Sequence, residues 1–372
     1  MTAIEGVAAS DGLVDVSWSD GHASQFHALW LRDNCPCEEC VHPSTHERTL
    51  DTFGIDPSIA PTSIVADATA VSVEWPDGHL TRFDPAWLRD HCYSHEACRH
   101  RPSRHTLWGA DAAIPEFDYG EVATGDAGLL GWLEALWDYG VTMIRQVPDD
   151  RSVGADLARR VEFLRNTNFG LTWDVVARPD AVNNAYTGVA LPAHTDLPNR
   201  ELPPGVQFIH CLSSTASGGD NVMVDGFHAA EVLRTWDEEA WRLLQEVELP
   251  YRFHDDDHDL RSRAPVIRRG PDGEYREIRH HIALAAPLDL APERVEPTYA
   301  ALRAFANVVR DPAVEVRLRL EPGDLWVFHN RRVLHGRDAY DEGVGDRHLA
   351  GCYIDIDELR SRIRVLRREL RP

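Results

Sequence analysis

The chain has 372 residues, with 38 basic against 61 acidic side chains and a net charge of −23, and every basic one is Arg. Such a surface repels phosphate backbones and argues against nucleic acid as a partner. The absence of Lys excludes a Schiff-base lysine, a pyridoxal-phosphate anchor and the lysine of a phosphate-binding loop. Hydrophobic residues make up 43% of the chain, including 11 Trp, enough for a sizeable core in one large domain plus a small one. No apolar run approaches the ~18–20 residues of a membrane span. The opening MTAIEGVAASDGLVDV lacks the basic and apolar regions of a signal peptide. A cytoplasmic protein, not membrane-bound, with its seven Cys reduced or ligating, is expected.

The first hundred residues contain a repeat. VDVSWSDGHASQFHALWLRDNC (14–35) and VSVEWPDGHLTRFDPAWLRDHC (71–92) align at a constant offset of 57. Trp18 pairs with Trp75, His22 with His79 and Cys35 with Cys92. Each copy alternates apolar and polar residues, turns at Asp-Gly and alternates again, the pattern of a β-hairpin. A small β-rich domain over 1–105, built from two related hairpins, is expected.

Between the copies, RDNCPCEEC sets Cys35, Cys37 and Cys40 within six residues. Three soft thiolates at this spacing suit tetrahedral zinc, and a fourth ligand must come from elsewhere. The second copy has Ser94 and Ala97 in place of two of the thiols but keeps His79 in its turn. Packing the hairpins together would bring His79 to the Cys loop; His42 and His46 compete for the role. With no position left open for substrate, such a site is structural.

From about 115 to 372 the texture changes to that of a second domain. DAGLLGWLEALWD (126–138) has helical spacing and leads into a strand-like GVTMIRQV; further helical segments fall near 152–165, 227–246 and 296–310. Short apolar runs (GVQFIHCL, NVMVDGF, VEVRLRL, DLWVFHN, HLAGCYIDI) read as strands, and DELRSRIRVLRREL as a closing surface helix. The expected fold is mainly β with helices: a double-stranded β-helix, or jelly roll, with helices packed on one side, plus the small β-rich domain.

LPAHTDLPN holds His194 and Asp196 as H-x-D, and VLHGR holds His335. Two His and one carboxylate form the facial triad of non-haem Fe(II) oxygenases, which leaves three metal positions for co-substrate and O₂. Twelve residues beyond His335, Arg347 opens another strand. A guanidinium there suits the distal carboxylate of 2-oxoglutarate, which needs a planar bidentate partner. A zinc hydrolase and a non-enzymatic binding protein are the competing readings; neither needs Arg347, and neither forms succinate.

LWLRDNCPCEEC followed by WPDGH resembles the N-terminal zinc-binding domain of the γ-butyrobetaine and trimethyllysine hydroxylases. His194, Asp196, His335 and Arg347 match, in order and spacing, the pattern of 2-oxoglutarate-dependent oxygenases of the taurine dioxygenase type. The resemblance spans nearly the whole chain. It implies Cys35, Cys37, Cys40 and His79 as zinc ligands, His194, Asp196 and His335 as iron ligands, and Arg347 with Asn221 as the 2-oxoglutarate contacts. It also implies ascorbate as reductant, O₂ as co-substrate and a homodimer.

The family's cage for a quaternary ammonium maps onto Phe169 and Trp173 in NFGLTW, Tyr186 in NNAYTG and Tyr353 in GCYID, with Phe169 where Tyr is commoner. Aromatic faces hold such a cation because it cannot donate a hydrogen bond. At the substrate's acidic end, Asn183 matches one family Asn, whereas a later Asn pair is replaced by His280 and His281. Hydroxylation of a small trimethylammonium zwitterion is therefore expected: γ-butyrobetaine first, then 2-trimethylaminoethylphosphonate, then trimethyllysine.

Overall fold

In a computed structural model the chain forms two compact units, Met1–Pro102 and Ser103–Pro372. Residues 3–99, 105–177, 184–341 and 345–370 are described.

In the N-terminal unit, strands β1 (Ile4–Ser10), β2 (Leu13–Trp18) and β3 (Ala23–His27) form one antiparallel sheet, followed by helix α1 (Ala28–Asp33). Strands β4 (Ser63–Ala66), β5 (Val71–Glu74) and β6 (Leu80–Phe83) form a second, followed by α2 (Pro85–Asp90) and a short α3 (His95–Arg99). Each hairpin thus has a third strand that the repeat does not announce. Asp11-Gly12 joins β1 to β2 with φ of 50° and 75°, the paired left-handed residues of a type I′ turn. The inward residues of both copies share one core, in which Val14, Val16, Phe26, Val71, Val73 and Phe83 are almost fully buried.

The larger unit contains two sheets. One has six strands in the order β7-β8-β18-β11-β20-β9; the other has four, β10-β19-β12-β17. These are β7 (Glu116–Asp118), β8 (Val141–Arg145), β9 (Thr172–Val175), β10 (Leu191–His194), β11 (Val206–Ser214), β12 (Asn221–Asp225), β17 (Glu315–Leu318), β18 (Leu325–His329), β19 (Val333–Arg337) and β20 (Arg347–Ile354). Two hairpins intervene: β13 (Leu249–His254) with β14 (Asp259–Ala264), and β15 (Ile267–Arg269) with β16 (Tyr275–Ile278). All pairings are antiparallel except β7 with β8. The result is an open double-sheet jelly roll; among the described residues neither sheet closes into a barrel.

Strand alternation assigns the two faces of each sheet. Met143, Ile209, Trp326, Phe328 and Leu349 point inward with Met223 and Val333 of the smaller sheet. Ile144, Phe208, Val327 and Cys352 point outward beneath α4 (Tyr119–Thr124), α5 (Asp126–Tyr139), α6 (Val153–Val161) and α10 (Ile356–Glu369). On α5 the buried stripe is Leu129, Trp132, Leu133 and Leu136, each side chain worth roughly 1.5–3 kcal/mol of burial. The outer face of the smaller sheet, Val224 and Leu334, packs in a cluster with α7 (Gly226–Trp236), α8 (Glu238–Glu246) and α9 (Pro292–Val309). Helices therefore cover both outer faces, not one side as the sequence suggests. The cause is that β12, β18 and the first six residues of β11 are buried at every position, with apolar side chains on both faces, so each needs cover above and below.

The single helical segment expected over 227–246 is broken at Asp237, whose carboxylate accepts from the Ala240 N–H at 2.9 Å and caps the second helix. No described helix is long and apolar enough to cross a membrane.

Candidate active site and metal centres

Strand pairing assembles the triad. In the β10–β19 register His194 stands opposite His335, and Asp196 follows just beyond the end of β10. His194 Nε2 lies 3.3 Å and His335 Nε2 3.7 Å from the same oxygen, Asp196 Oδ1. One ligand atom from each residue falls within a 4.8 Å cluster. His194 Nδ1 is 2.9 Å from the Pro192 carbonyl, which turns Nε2 toward the cluster. Burial, together with the neighbouring His194, pushes the His335 imidazole down to about 3. Burial opposes ionisation of Asp196, but His335, His194 and the Tyr353 hydroxyl hold its carboxyl well below the usual carboxylate range. A neutral His335 imidazole beside an ionised carboxylate is the protonation state that a divalent metal requires.

Asp196 is itself fixed. Its N–H donates to Asn330 Oδ1 at 2.7 Å, and Asn330 Nδ2 donates to the Asp196 carbonyl at 3.1 Å and to that of Pro204 at 3.0 Å. The Tyr353 hydroxyl donates to Asp196 Oδ2 at 2.6 Å, leaving Oδ1 toward the two imidazoles. Asn330 was not expected from the sequence; its place directly after β18, in HNRR, was the available signal.

All three triad residues line a cavity of about 660 Å³ that opens between the jelly roll and the segments around Phe253 and His281. Arg347, at the start of β20, borders it and is only 8% exposed. Burial and the nearby Arg337 push its guanidinium down to about 10. Arg347 Nη2 donates to Asn221 Oδ1 at 3.3 Å, whereas its Nη1 is buried with no hydrogen-bond partner among the described residues. A buried, under-paired guanidinium facing the triad fits a ligand carboxylate, which would restore the missing partner. Asn221 also lines the cavity, but its Oδ1 is turned to Arg347, so it orients that side chain.

Phe169, Trp173, Tyr186 and Tyr353 line the same cavity, with Trp173 and Tyr353 at a ring-centroid distance of 5.3 Å. Gly351 makes this possible: a Cβ there would overlap the Trp173 ring. Phe253, from the unexpected hairpin β13–β14, adds a fifth ring beside Phe169 at 5.8 Å.

The two histidines expected at the substrate's acidic end diverge. His281 packs against His194 with ring centroids 4.4 Å apart and the rings tilted by 60°, lines the cavity, and has a buried Nδ1 without a hydrogen-bond partner among the described residues. His280 does not line it. Alternate residues of an extended segment face opposite ways, so the His280 ring packs on Phe305 at 5.4 Å. Its main chain instead holds Thr195, with the Thr195 N–H donating to its carbonyl at 2.8 Å. Asn183 lies outside the described residues.

In the N-terminal unit, His79 Nε2 lies 3.3, 3.5 and 3.7 Å from the sulfurs of Cys35, Cys37 and Cys40. The four donors form one cluster, and three soft thiols with one imidazole fit tetrahedral zinc. Glu39 faces the other ring nitrogen of His79 at 3.4 Å. Burial pushes the Cys35 thiol up to about 11, so a metal must displace its proton. The rival ligands are elsewhere: His42 Nδ1 accepts from the Ser44 and Thr45 N–H groups, each at 3.2 Å, and His46 is exposed.

A jelly roll with a His-Asp-His cluster facing a buried Arg defines an Fe(II)- and 2-oxoglutarate-dependent oxygenase. Comparison with known proteins agrees. Residues 81–353 match the family described as taurine catabolism dioxygenase TauD, TfdA, and residues 7–83 match the γ-butyrobetaine hydroxylase-like N-terminal family. The chain belongs to the TauD, TfdA dioxygenase family, among its γ-butyrobetaine and trimethyllysine dioxygenase members. It is 44% identical over 360 residues to a γ-butyrobetaine dioxygenase of Pseudomonas sp. (strain AK-1), covering 95% of this chain and 94% of that one. With the human γ-butyrobetaine dioxygenase it shares 33% over 380 residues, 99% and 98% of the two chains. Human mitochondrial trimethyllysine dioxygenase is 32% identical over 352 residues, 92% of this chain and 83% of that one. Among solved structures, a taurine dioxygenase from Burkholderia xenovorans has the same fold, with a TM-score of 0.50 and 18% identity over 66% of this chain and 89% of that one.

Proposed function

We propose that the protein hydroxylates a small trimethylammonium zwitterion, with γ-butyrobetaine, giving carnitine, as first choice. The observation that carries this reading is one cavity lined by the triad, by Arg347 and by the four rings of Phe169, Trp173, Tyr186 and Tyr353. The relatives named above as γ-butyrobetaine dioxygenases support the same choice.

His194 Nε2, Asp196 Oδ1 and His335 Nε2 would hold Fe(II), and Arg347 the distal carboxylate of 2-oxoglutarate. When bound, iron with 2-oxoglutarate and O₂ supplies the oxidising chemistry, releasing succinate and CO₂ as a C–H bond becomes C–OH. The chain's own residues position and exclude. Asn330 and Tyr353 fix the carboxylate that completes the triad, and Asn221 aims Arg347. The aromatic rings receive the quaternary ammonium by cation–π attraction and keep water from it. His281, which can donate or accept through its unpartnered Nδ1, faces the substrate's acidic end. Asn183 remains a candidate for that end on its match to the family.

Cys35, Cys37, Cys40 and His79 would hold structural zinc. A cytoplasmic homodimer with ascorbate as reductant completes the reading, on family resemblance.

2-Trimethylaminoethylphosphonate is the second reading, favoured by His281 standing where the family has Asn, since its ring nitrogen can donate a hydrogen bond to a phosphonate oxygen. Competition among γ-butyrobetaine, this phosphonate and trimethyllysine for 2-oxoglutarate turnover tests the choice. γ-Butyrobetaine is expected to win; preference for the phosphonate would transfer the assignment to it.

A further inference from the structure

The N-terminal repeat is reciprocal in three dimensions. The His of the second hairpin reaches the Cys of the first copy, with His79 Nε2 at 3.3 Å from Cys35 Sγ. The His of the first hairpin reaches the Cys of the second in the same way, with His22 Nε2 at 3.4 Å from Cys92 Sγ. The supports are duplicated too. Trp75 Nε1 donates to Thr81 Oγ1 at 2.8 Å beside Cys35, and Trp18 Nε1 donates to Ser24 Oγ at 2.9 Å beside Cys92. Arg32 pairs with Asp77 at 3.5 Å, and its counterpart Arg89 pairs with Asp20 at 3.2 Å.

The metal-binding turn is also kept. In the first copy the Val41 N–H donates to the Cys37 carbonyl at 2.9 Å; in the second the Cys98 N–H donates to the Ser94 carbonyl at 2.9 Å. Only two ligand side chains differ: Ser94 stands where Cys37 would, and Ala97 where Cys40 would. Ser94 Oγ lies 3.5 Å from Cys92 Sγ, inside the contact that a ligand would make.

We infer that His22 and Cys92 are half of a second zinc site, reciprocal to the Cys35–Cys37–Cys40–His79 cluster. Its backbone turn is present and two of its four donors are absent. In the native chain the Cys92–His22 contact links the two copies where a metal would. Two substitutions, S94C and A97C, are sufficient to restore a closed Cys₃His donor set for a divalent d¹⁰ cation.

The test is metal content of the full chain, with zinc measured against wild type prepared alongside and Co(II)–thiolate charge-transfer absorption as a second readout. The S94C/A97C variant is expected to bind one zinc per chain more than wild type and to double the Co(II)–thiolate absorption approximately. Adding His22→Ala should remove the increment while the first site stays loaded. Wild-type zinc content in the double variant, or an increment that survives His22→Ala, overturns the inference. If the double variant does not fold, S94C alone leaves the packing of Ala97 untouched and offers three donors. A Co(II)–thiolate increment sensitive to His22→Ala then supports the site, and its absence in folded S94C contradicts it.

Discussion

Asn330 holds Asp196 by both main-chain polar groups, accepting from its N–H at 2.7 Å and donating to its carbonyl at 3.1 Å. Asp196 leaves the β-ladder just after His194, so nothing in the sheet fixes its direction. A fully buried Asn substitutes for the missing strand partner. Replacing it by Ala strands three main-chain groups, the N–H and carbonyl of Asp196 and the carbonyl of Pro204, and loosens the carboxylate. Iron affinity of Asn330→Ala is expected to fall roughly 10–100-fold, the usual cost of losing an outer-shell partner. Fe(II) titration of the apoprotein checks this; an unchanged dissociation constant would remove Asn330 from the site.

Tyr353 offers a cleaner separation, because its ring faces the cavity and its hydroxyl faces Asp196 Oδ2. Tyr353→Phe keeps the ring for the ammonium group and deletes one charge-assisted hydrogen bond, worth ~1.5–3 kcal/mol. The expected outcome is a lower kcat and weaker iron binding with little change in substrate KM. Tyr353→Ala should raise that KM as well. Equal effects of the two variants on KM would show that the ring takes no part in substrate binding.

The triad and Arg347 were legible in the sequence from their motifs and spacing, and the four rings from the resemblance to the family; all of them line one cavity. His194, His335 and Arg347 lie in strands whose period fixes which way they face, whereas Asp196, beyond the end of its strand, was legible only from its place in H-x-D. Asn330 and Phe253 were not legible, since each contributes through a pairing between segments far apart in the chain. The hairpins over 249–278 escaped notice for a related reason. Their charged, half-buried strands, such as DLRSRA, lack the apolar runs that marked the central ones. The His280–His281 pair could be located but not divided, because which of two neighbours faces inward depends on the register of that segment. In the N-terminal unit the repeat exposed the hairpins, but the outer strands β1 and β4 lack matching residues and so were missed.

Arg347 is predicted to carry most of the 2-oxoglutarate affinity. Arg347→Lys keeps the charge but loses the fork that binds a carboxylate through two hydrogen bonds. The KM for 2-oxoglutarate is expected to rise ~10-fold or more in Lys and further in Ala, with the dissociation constant of the apoprotein following. A variant that retains wild-type KM would show that the distal carboxylate lies elsewhere in the cavity.

Zinc removal is predicted to loosen the N-terminal unit, whose two hairpins are joined through Cys35 and His79. His79→Ala should lose zinc and lower the thermal midpoint, whereas His42→Ala and His46→Ala should retain both. Because Cys35 must shed a proton from a thiol pushed up to about 11, zinc uptake should weaken as pH falls. Full zinc content in His79→Ala would reassign the fourth ligand.

The central claim is that one cavity combines iron, 2-oxoglutarate and a quaternary ammonium. Its most direct test is the yield of hydroxylated product and of succinate from γ-butyrobetaine, with γ-aminobutyrate, its unmethylated counterpart, alongside. The account predicts equimolar product and succinate from γ-butyrobetaine, little from γ-aminobutyrate, and neither product in His194→Ala. Succinate formation coupled to γ-aminobutyrate but to no trimethylammonium compound would contradict the aromatic cage, and unchanged turnover in His194→Ala would contradict the iron site itself.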